Sequence, residues 1–286
     1  MVNQGGVPKP LIFDASVLQH DPNIPKQFIW PDHEKPAADP APQLAVPLID
    51  LAGFLSGDPA AALQASTLVG EACKKHGFFL VANHGVDASL ISHAHRYMDH
   101  FFELPLSEKQ KAERKVGDHC GYASSFIGRF SSKLPWKETL SFSFSADKSS
   151  HDIVVDYFKT TLGPDFSHIG KIYQEYCNAM SNLSFRDNGA FGDEFGRLSN
   201  GRYKSCFAQG SGEQQESRKS LAFFLCPKKD KVVRPPTGTG GLQQIQEYIQ
   251  ISHGPLLEFT PKHYRADMNT LQSFPLGYFN PGQLID

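Results

Sequence analysis

With 286 residues, 40% of them apolar and 20% charged, the chain is long enough for one large domain or two smaller ones, each with a buried core. A formal charge of -2 and the lack of any Lys/Arg run argue against a nucleic-acid partner, and no apolar stretch approaches the ~20 residues of a membrane span. Five widely spread cysteines with no C-x-x-C pair indicate reduced thiols, so a soluble, cytoplasmic, globular protein is expected, and a monomer.

From residue 1 to 43 the chain is rich in Pro, Asp and Gln and reads as an extended arm. Order is expected from Leu44. The run VPLIDL (Val46 to Leu51) reads as a short buried strand. Ser56 to His76 has the apolar spacing of a helix stopped by Gly77, and FFLVANHG (Phe78 to Gly85) reads as a strand ending in a turn. Asp87 then caps a helix whose apolar face is Leu90, Ile91, Ala94, Tyr97, Met98, Phe101 and Phe102, with Pro105 as its stop. His151 to Leu162 and Phe166 to Ser184 predict two further helices. Glu138 to Phe144 and Ser220 to Cys226 predict strands.

Three runs break this pattern. FRDNGAFGDEFGRL (Phe185 to Leu198) sets Gly and Asp every few residues after a well-formed helix, and FAQGSGEQQES (Phe207 to Ser217) is polar between apolar segments. TGTGGLQQIQEYIQISHG (Thr237 to Gly254) is rich in Gly and Gln and reads as loop; it lacks the lysine of a phosphate-binding loop.

Several blocks together carry a family signature: HGFFLVANHGV from His76, GYASSFIGRFSSKLPWKETLSF from Gly121, LSNGRYKSC from Leu198, RKSLAFFLCP from Arg218 and HYRADMNTLQ from His263. In these the chain resembles the plant gibberellin 20-oxidases, 2-oxoglutarate and Fe(II)-dependent dioxygenases. The resemblance covers most of the chain up to Ser184 and then returns in pieces. It implies an α+β fold, in which a helical N-terminal region packs on a double-stranded β-helix, or jelly roll. By this reading 1–43 is the arm, 44–184 the non-haem dioxygenase N-terminal region, and 185–286 a remnant of the catalytic domain, so that the jelly roll is incomplete in this chain.

The resemblance further implies a small-molecule gibberellin substrate oxidised at carbon 20, with Fe(II), 2-oxoglutarate and ascorbate as cofactors. Two His and one Asp on one face of iron leave positions open for 2-oxoglutarate and oxygen, which suits oxygenase chemistry. The family's Arg-x-Ser pair, which grips the distal carboxylate of 2-oxoglutarate, corresponds to Arg218 and Ser220. The LPWKET hexapeptide implies substrate contact by Leu134, Pro135, Trp136, Lys137, Glu138 and Thr139.

The residue types alone support plainer alternatives. Arg218 reads equally as a solvated arginine entering a strand, and LPWKET as a structural turn with Trp136 in the core and Lys137 paired to Glu138. His93 and His95, two apart on a helix, point to different sides and do not form a metal pair; with His100 they read as surface residues. His76 and His84 read as buried hydrogen-bonding residues rather than ligands.

The family's iron-binding His-x-Asp motif is missing. None of the 12 histidines begins a His-x-Asp or His-x-Glu, and the strand of NYYPPC type is absent as well. A reading-frame shift accounts for part of this. The codons TGC TTG CAC AGG GCA GTG GTG AAC AGC encode Cys-Leu-His-Arg-Ala-Val-Val-Asn-Ser, the kind of segment that supplies the family's second histidine. One C inserted after the TT of the second codon gives Cys-Phe-Ala-Gln-Gly-Ser-Gly-Glu-Gln, which is the sequence from Cys206 to Gln214. Phe185 to Arg197 and Gln243 to Pro255 can likewise be re-read in a shifted frame as family-like segments. The expectation is three out-of-frame stretches, with codons for the first half of the barrel missing between Arg197 and Ser199. No catalytic residue and no metal ligand is assigned.

Overall fold

The computed structural model describes residues 14–18, 20–29, 31–32, 44–115, 118–124, 134–146, 152–186, 203–204, 217–226, 232–233 and 251–252. The chain divides into two compact units, one made of 1–43 with 86–182 and the other of 44–85 with 183–286.

In the second unit, β1 (Leu48–Asp50) pairs in parallel with β2 (Leu80–Ala82), Ile49 opposite Val81. Parallel strands need a crossover, which α2 (Ala52–Ser56) and α3 (Pro59–Lys75) supply. The single helix expected from Ser56 is thus two. Gly57, at φ 82, ends the first, and Asp58 accepts from the Ala60 N–H at 2.9 Å to cap the second, with Pro59 at its first position. Ile49, Leu51 and Ala65 form the core, with Phe54, Leu55, Val69, Phe79, Val81 and Leu183 packed against them. Beyond β2 the chain turns at Asn83 (φ 52), whose Nδ2 donates to Asp50 Oδ2 at 2.9 Å.

The first unit opens with a one-turn helix, α1 (Ala15–Leu18), and a single 3-10 turn at Lys26–Phe28 whose Phe28 is buried. Its main helices are α4 (Ala88–Glu103), α6 (Ile153–Leu162) and α7 (Ser167–Arg186) as far as Asn182, with a short α5 (Leu106–Lys109) after Pro105. As expected, Asp87 caps α4: its Oδ1 accepts from Ser89 N at 2.6 Å and Leu90 N at 3.1 Å. Ala94, Met98 and Phe101 are the buried positions of its apolar face. The fully buried Phe158 stacks on Tyr173 with centroids 5.4 Å apart, and Phe142 closes the group at 5.3 and 5.5 Å. Gly170 lets α6 and α7 approach closely, since a Cβ there would lie 2.8 Å from Val155 Cα. Two buried polar contacts fasten the helices: Tyr173 Oη donates to Ala94 O at 3.0 Å, and Gln174 Oε1 accepts from Val154 N at 3.0 Å.

The strand expected from Glu138 is β4 (Glu138–Ser141), antiparallel to β3 (Gly121–Ser124). It ends at Ser141 because β3 offers no partner further on. Ser220 to Cys226, expected as a strand, belongs to no ladder; it keeps the period-two pattern, with Leu221, Phe223 and Leu225 half-buried and Ala222, Phe224 and Cys226 exposed. Within the run from Thr237 to Gly254, read as loop, β6 (Ile251–Ser252) pairs antiparallel with β5 (Val232–Val233). The other two aberrant runs lie outside the described residues, except that α7 reaches Arg186 and that Ser217 is exposed. HYRADMNTLQ also lies outside them. Among the described residues, no helix is long and apolar enough to cross a membrane. Among the described residues, Cys73, Cys120 and Cys177 are free thiols.

Truncating Phe158 to Ala removes the ring at the centre of the aromatic group and is expected to destabilise the first unit by about 3–5 kcal/mol in urea unfolding. Asp87 is held below the usual carboxylate range by its hydrogen bonds to Ser89 and Leu90. Its contribution is therefore present above the unfolded pKa and lost as pH falls through the folded one. Asp87→Asn keeps a cap but no titration, and is expected to flatten the acid limb of a melting-temperature profile against pH.

Candidate functional site

The hexapeptide lies where the β3–β4 hairpin meets α5, all within the first unit. Its six residues split by environment. Leu134 is buried and its N–H donates to Gln27 O at 2.9 Å; Pro135 is half-buried; Trp136, 45% exposed, sets its ring edge-on to Phe28 at 5.0 Å. Lys137 is exposed, while Glu138 and Thr139 are half-buried on β4, Thr139 Oγ1 donating to Ala123 O at 3.3 Å.

Both parts of the plain alternative, a core Trp136 and a Lys137–Glu138 pair, are corrected here. The cation that meets Glu138 is Lys109, from the end of α5. Its Nζ donates to Glu138 Oε1 at 2.7 Å and to Phe102 O at 3.1 Å, and lies 5.8 Å from the Tyr122 ring centroid. Tyr122 Oη donates to the same Glu138 oxygen at 2.5 Å. Lys109 is 1% exposed and Glu138 11%, so the pair is shielded from solvent. Burial, and then the neighbouring carboxylate, push the Tyr122 phenol well above its usual range, which keeps it a donor. Lys109 was missed in sequence because LSEKQK looks like an exposed helix end; only its spatial partner, 29 residues on, marks it.

Beside this group Arg114 Nη2 donates to Ser141 Oγ at 3.0 Å and Gly121 O at 3.3 Å, and desolvation lowers the guanidinium's pKa. Gly121 is required there: φ is 116°, and a Cβ would lie 2.7 Å from Arg114 Cα. Tyr157, interacting with Arg114, is pushed up to about 12, chiefly by burial.

Arg218 and Ser220 are placed in the second unit, both exposed. The histidines follow the sequence reading in part. His93 and His100 are exposed, His95 is half-buried, and His76 and His84 are half-buried rather than fully buried. Among the described residues no group of three or more His, Cys, Asp or Glu is placed to hold a metal ion.

Comparison with known proteins now bears on this arrangement. A family model described as non-haem dioxygenase in morphine synthesis N-terminal matches residues 46–160. Gibberellin 20 oxidase 2 of Arabidopsis thaliana is 43% identical over 346 residues, covering 93% of this chain and 90% of the relative. Gibberellin 20 oxidase 1-D of Triticum aestivum is 43% identical over 344, covering 92% and 95%. The chain belongs to the gibberellin 20-oxidase family. In this gibberellin 20-oxidase homologue the alignment of 346 positions is longer than the 286-residue chain, so part of the relative has no counterpart here.

Solved structures show the fold of the 2-oxoglutarate/iron dioxygenases. The crystal structure of JOX2 in complex with 2OG, Fe and JA matches with a TM-score of 0.67 at 20% identity, covering 87% of this chain and 93% of that one. The rice dioxygenase for auxin oxidation matches at a TM-score of 0.51 and 16% identity, covering 75% and 94%.

Removing the cation while leaving its carboxylate behind is the costly way to break a shielded pair. Lys109→Met is accordingly expected to lose about 3 kcal/mol in urea unfolding. Arg218→Ala, at an exposed position, is expected to stay within about 0.5 kcal/mol of the parent.

Proposed function

We propose that this chain derives from a gibberellin 20-oxidase of gibberellin biosynthesis, a 2-oxoglutarate-dependent oxidoreductase acting at carbon 20, and that it does not carry out that reaction itself. The observation that carries this is the donor set: across the whole sequence no histidine begins a His-x-Asp or His-x-Glu. Iron held on one face by two imidazoles and a carboxylate needs that motif in this family, so the residues present do not fit Fe(II). The excess of aligned positions over chain length supports an internal loss, assigned between Arg197 and Ser199. The frame-shifted reading from Cys206 to Gln214 accounts for the second histidine. On this reading 185–286 is a remnant of the catalytic domain, and its jelly roll is incomplete.

Arg218 and Ser220 are the inherited grip for the distal carboxylate of 2-oxoglutarate. Both are exposed, and a bidentate arginine pair weakens in high dielectric, so the co-substrate is held loosely. Iron, 2-oxoglutarate and ascorbate are cofactors of the ancestral enzyme. The protein is read as a cytoplasmic monomer whose partner is a small molecule and not nucleic acid.

A second reading has its own support: the LPWKET hexapeptide is present whole, on a hairpin held by a shielded ion pair. It makes the chain a non-catalytic binder of gibberellins through residues 134–139.

Full-length protein titrated with Fe(II) under argon is expected to hold far less than one equivalent and to release no succinate from 2-oxoglutarate. Near-stoichiometric iron with turnover would refute the loss of the site. Sequencing the transcript between the codons for Ser184 and Ser220 tests the frame shift separately, and a transcript matching this protein sequence throughout would rule out an error in the gene model.

A further inference from the structure

A hydroxyl accepts a phosphoryl group when it can be brought up to the γ-phosphorus of a nucleoside triphosphate in line with the leaving oxygen. A residue in a helix or a paired strand meets that condition only after local unfolding. Among the described residues three serines and threonines have a lysine or arginine two positions before them: Thr139 after Lys137, Thr161 after Lys159, and Ser220 after Arg218. Thr139 lies in β4, where its hydroxyl donates to Ala123 O at 3.3 Å, and Thr161 lies near the end of α6. Of the three, Ser220 alone lies outside helix and strand. Ser217, Arg218, Lys219 and Ser220 are exposed one after another. Beyond them burial alternates with a period of two from Leu221 to Cys226, the pattern of an extended segment. Among the described residues, neither the Arg218 guanidinium nor the Ser220 hydroxyl makes a hydrogen bond or an ion pair.

We propose that Ser220 is a phosphorylation site for a protein kinase that selects basic residues before its acceptor. Ser220 Oγ attacks the γ-phosphorus of the nucleoside triphosphate. The Oγ–P bond forms as the bond from that phosphorus to the β,γ-bridging oxygen breaks. The nucleoside diphosphate leaves with the bonding electrons, and the hydroxyl proton passes to the base of the kinase. A kinase with an acidic cleft discriminates by charge pattern, and Arg218 and Lys219 set two cations immediately before the acceptor, with the apolar Leu221 immediately after it. Ser217 is exposed as well, but Gln215 stands two positions before it, which makes it the internal comparison. Ser220 meets these conditions whether or not Arg218 and Ser220 hold 2-oxoglutarate, since they are conditions of exposure and charge alone.

The test incubates the native full-length chain with magnesium ATP and the catalytic subunit of cyclic-AMP-dependent protein kinase, which selects arginine before its acceptor. The modified residue is located by peptide mass spectrometry. Phosphate is expected on Ser220. Ser220→Ala is expected to lose it, and Ser217→Ala to keep it. Arg218→Ala is expected to slow the initial rate about tenfold, through loss of one charge-assisted contact to the kinase. A synthetic peptide of residues 214–226 gives the rate of a fully accessible acceptor with the same charge pattern. The native chain is expected to be modified within about tenfold of that rate, because Ser220 needs no local opening to reach the cleft. A native chain that takes up no phosphate, whether or not the peptide does, overturns the proposal. So does phosphate uptake that Ser220→Ala leaves undiminished, or an Arg218→Ala variant modified at the parent's rate.

Discussion

A buried ammonium is the constraint around which the first unit is arranged. Lys109 has no escape to solvent, and an unpaired cation at that depth would cost several kcal/mol, so the chain must bring an acceptor to it. It brings Phe102 O from the end of α4 and Glu138 from the start of β4. Both hydrogen bonds are directional, and together they tie the end of α5 to the end of α4 and to the start of β4. Tyr122, on β3, donates its hydroxyl to the same carboxylate and so adds a side-chain contact across the paired strands. The apolar contacts of Phe158, Phe142 and Tyr173 fill the space beside the hairpin, but apolar packing tolerates sliding in a way that this network does not.

Local signals in the sequence were legible wherever one short segment decides its own conformation. The Asp87 cap, the Pro105 stop and the apolar face of α4 follow from neighbours within one or two turns. The break between α2 and α3 was written in Ser-Gly-Asp-Pro but was hidden by the Ala-rich periodicity on either side, since a left-handed Gly57 does not interrupt an apolar count. Glu138 shows the opposite limit. Beside Lys137 in sequence it reads as half of a surface pair, yet adjacent residues of a strand face opposite ways, and its true partner comes from another element. Burial of Trp136 was misjudged for a related reason: aromatic size argues for the core, but a turn held by backbone at both ends leaves its apex outside.

The same distinction between local and distant interactions separates what the proposed internal loss would leave in place from what it would remove. The paired strands and their shielded ion pair use residues from Phe102 to Ser141, a span that precedes every aberrant run, and the cation, carboxylate and phenol all come from it. An iron centre is the reverse case. Its donors come from separate strands of a barrel, so removing one strand removes a ligand outright, and shifting the frame of another replaces its histidine with whatever the new codons specify. No compensation elsewhere restores a facial set, because coordination needs particular donors at ~2 Å rather than a sufficient total of apolar contact.

Recognition and chemistry in such a chain are therefore separable in physical terms. Recognition by a shaped surface needs rigidly held side chains and no metal, whereas oxygen chemistry in this family needs the metal. A chain in which β3 pairs with β4 and no histidine begins a His-x-Asp has the elements of one without the motif of the other. The tie between Glu138 at the start of β4 and the shielded Lys109 at the end of α5 is of the first kind, made without any metal donor.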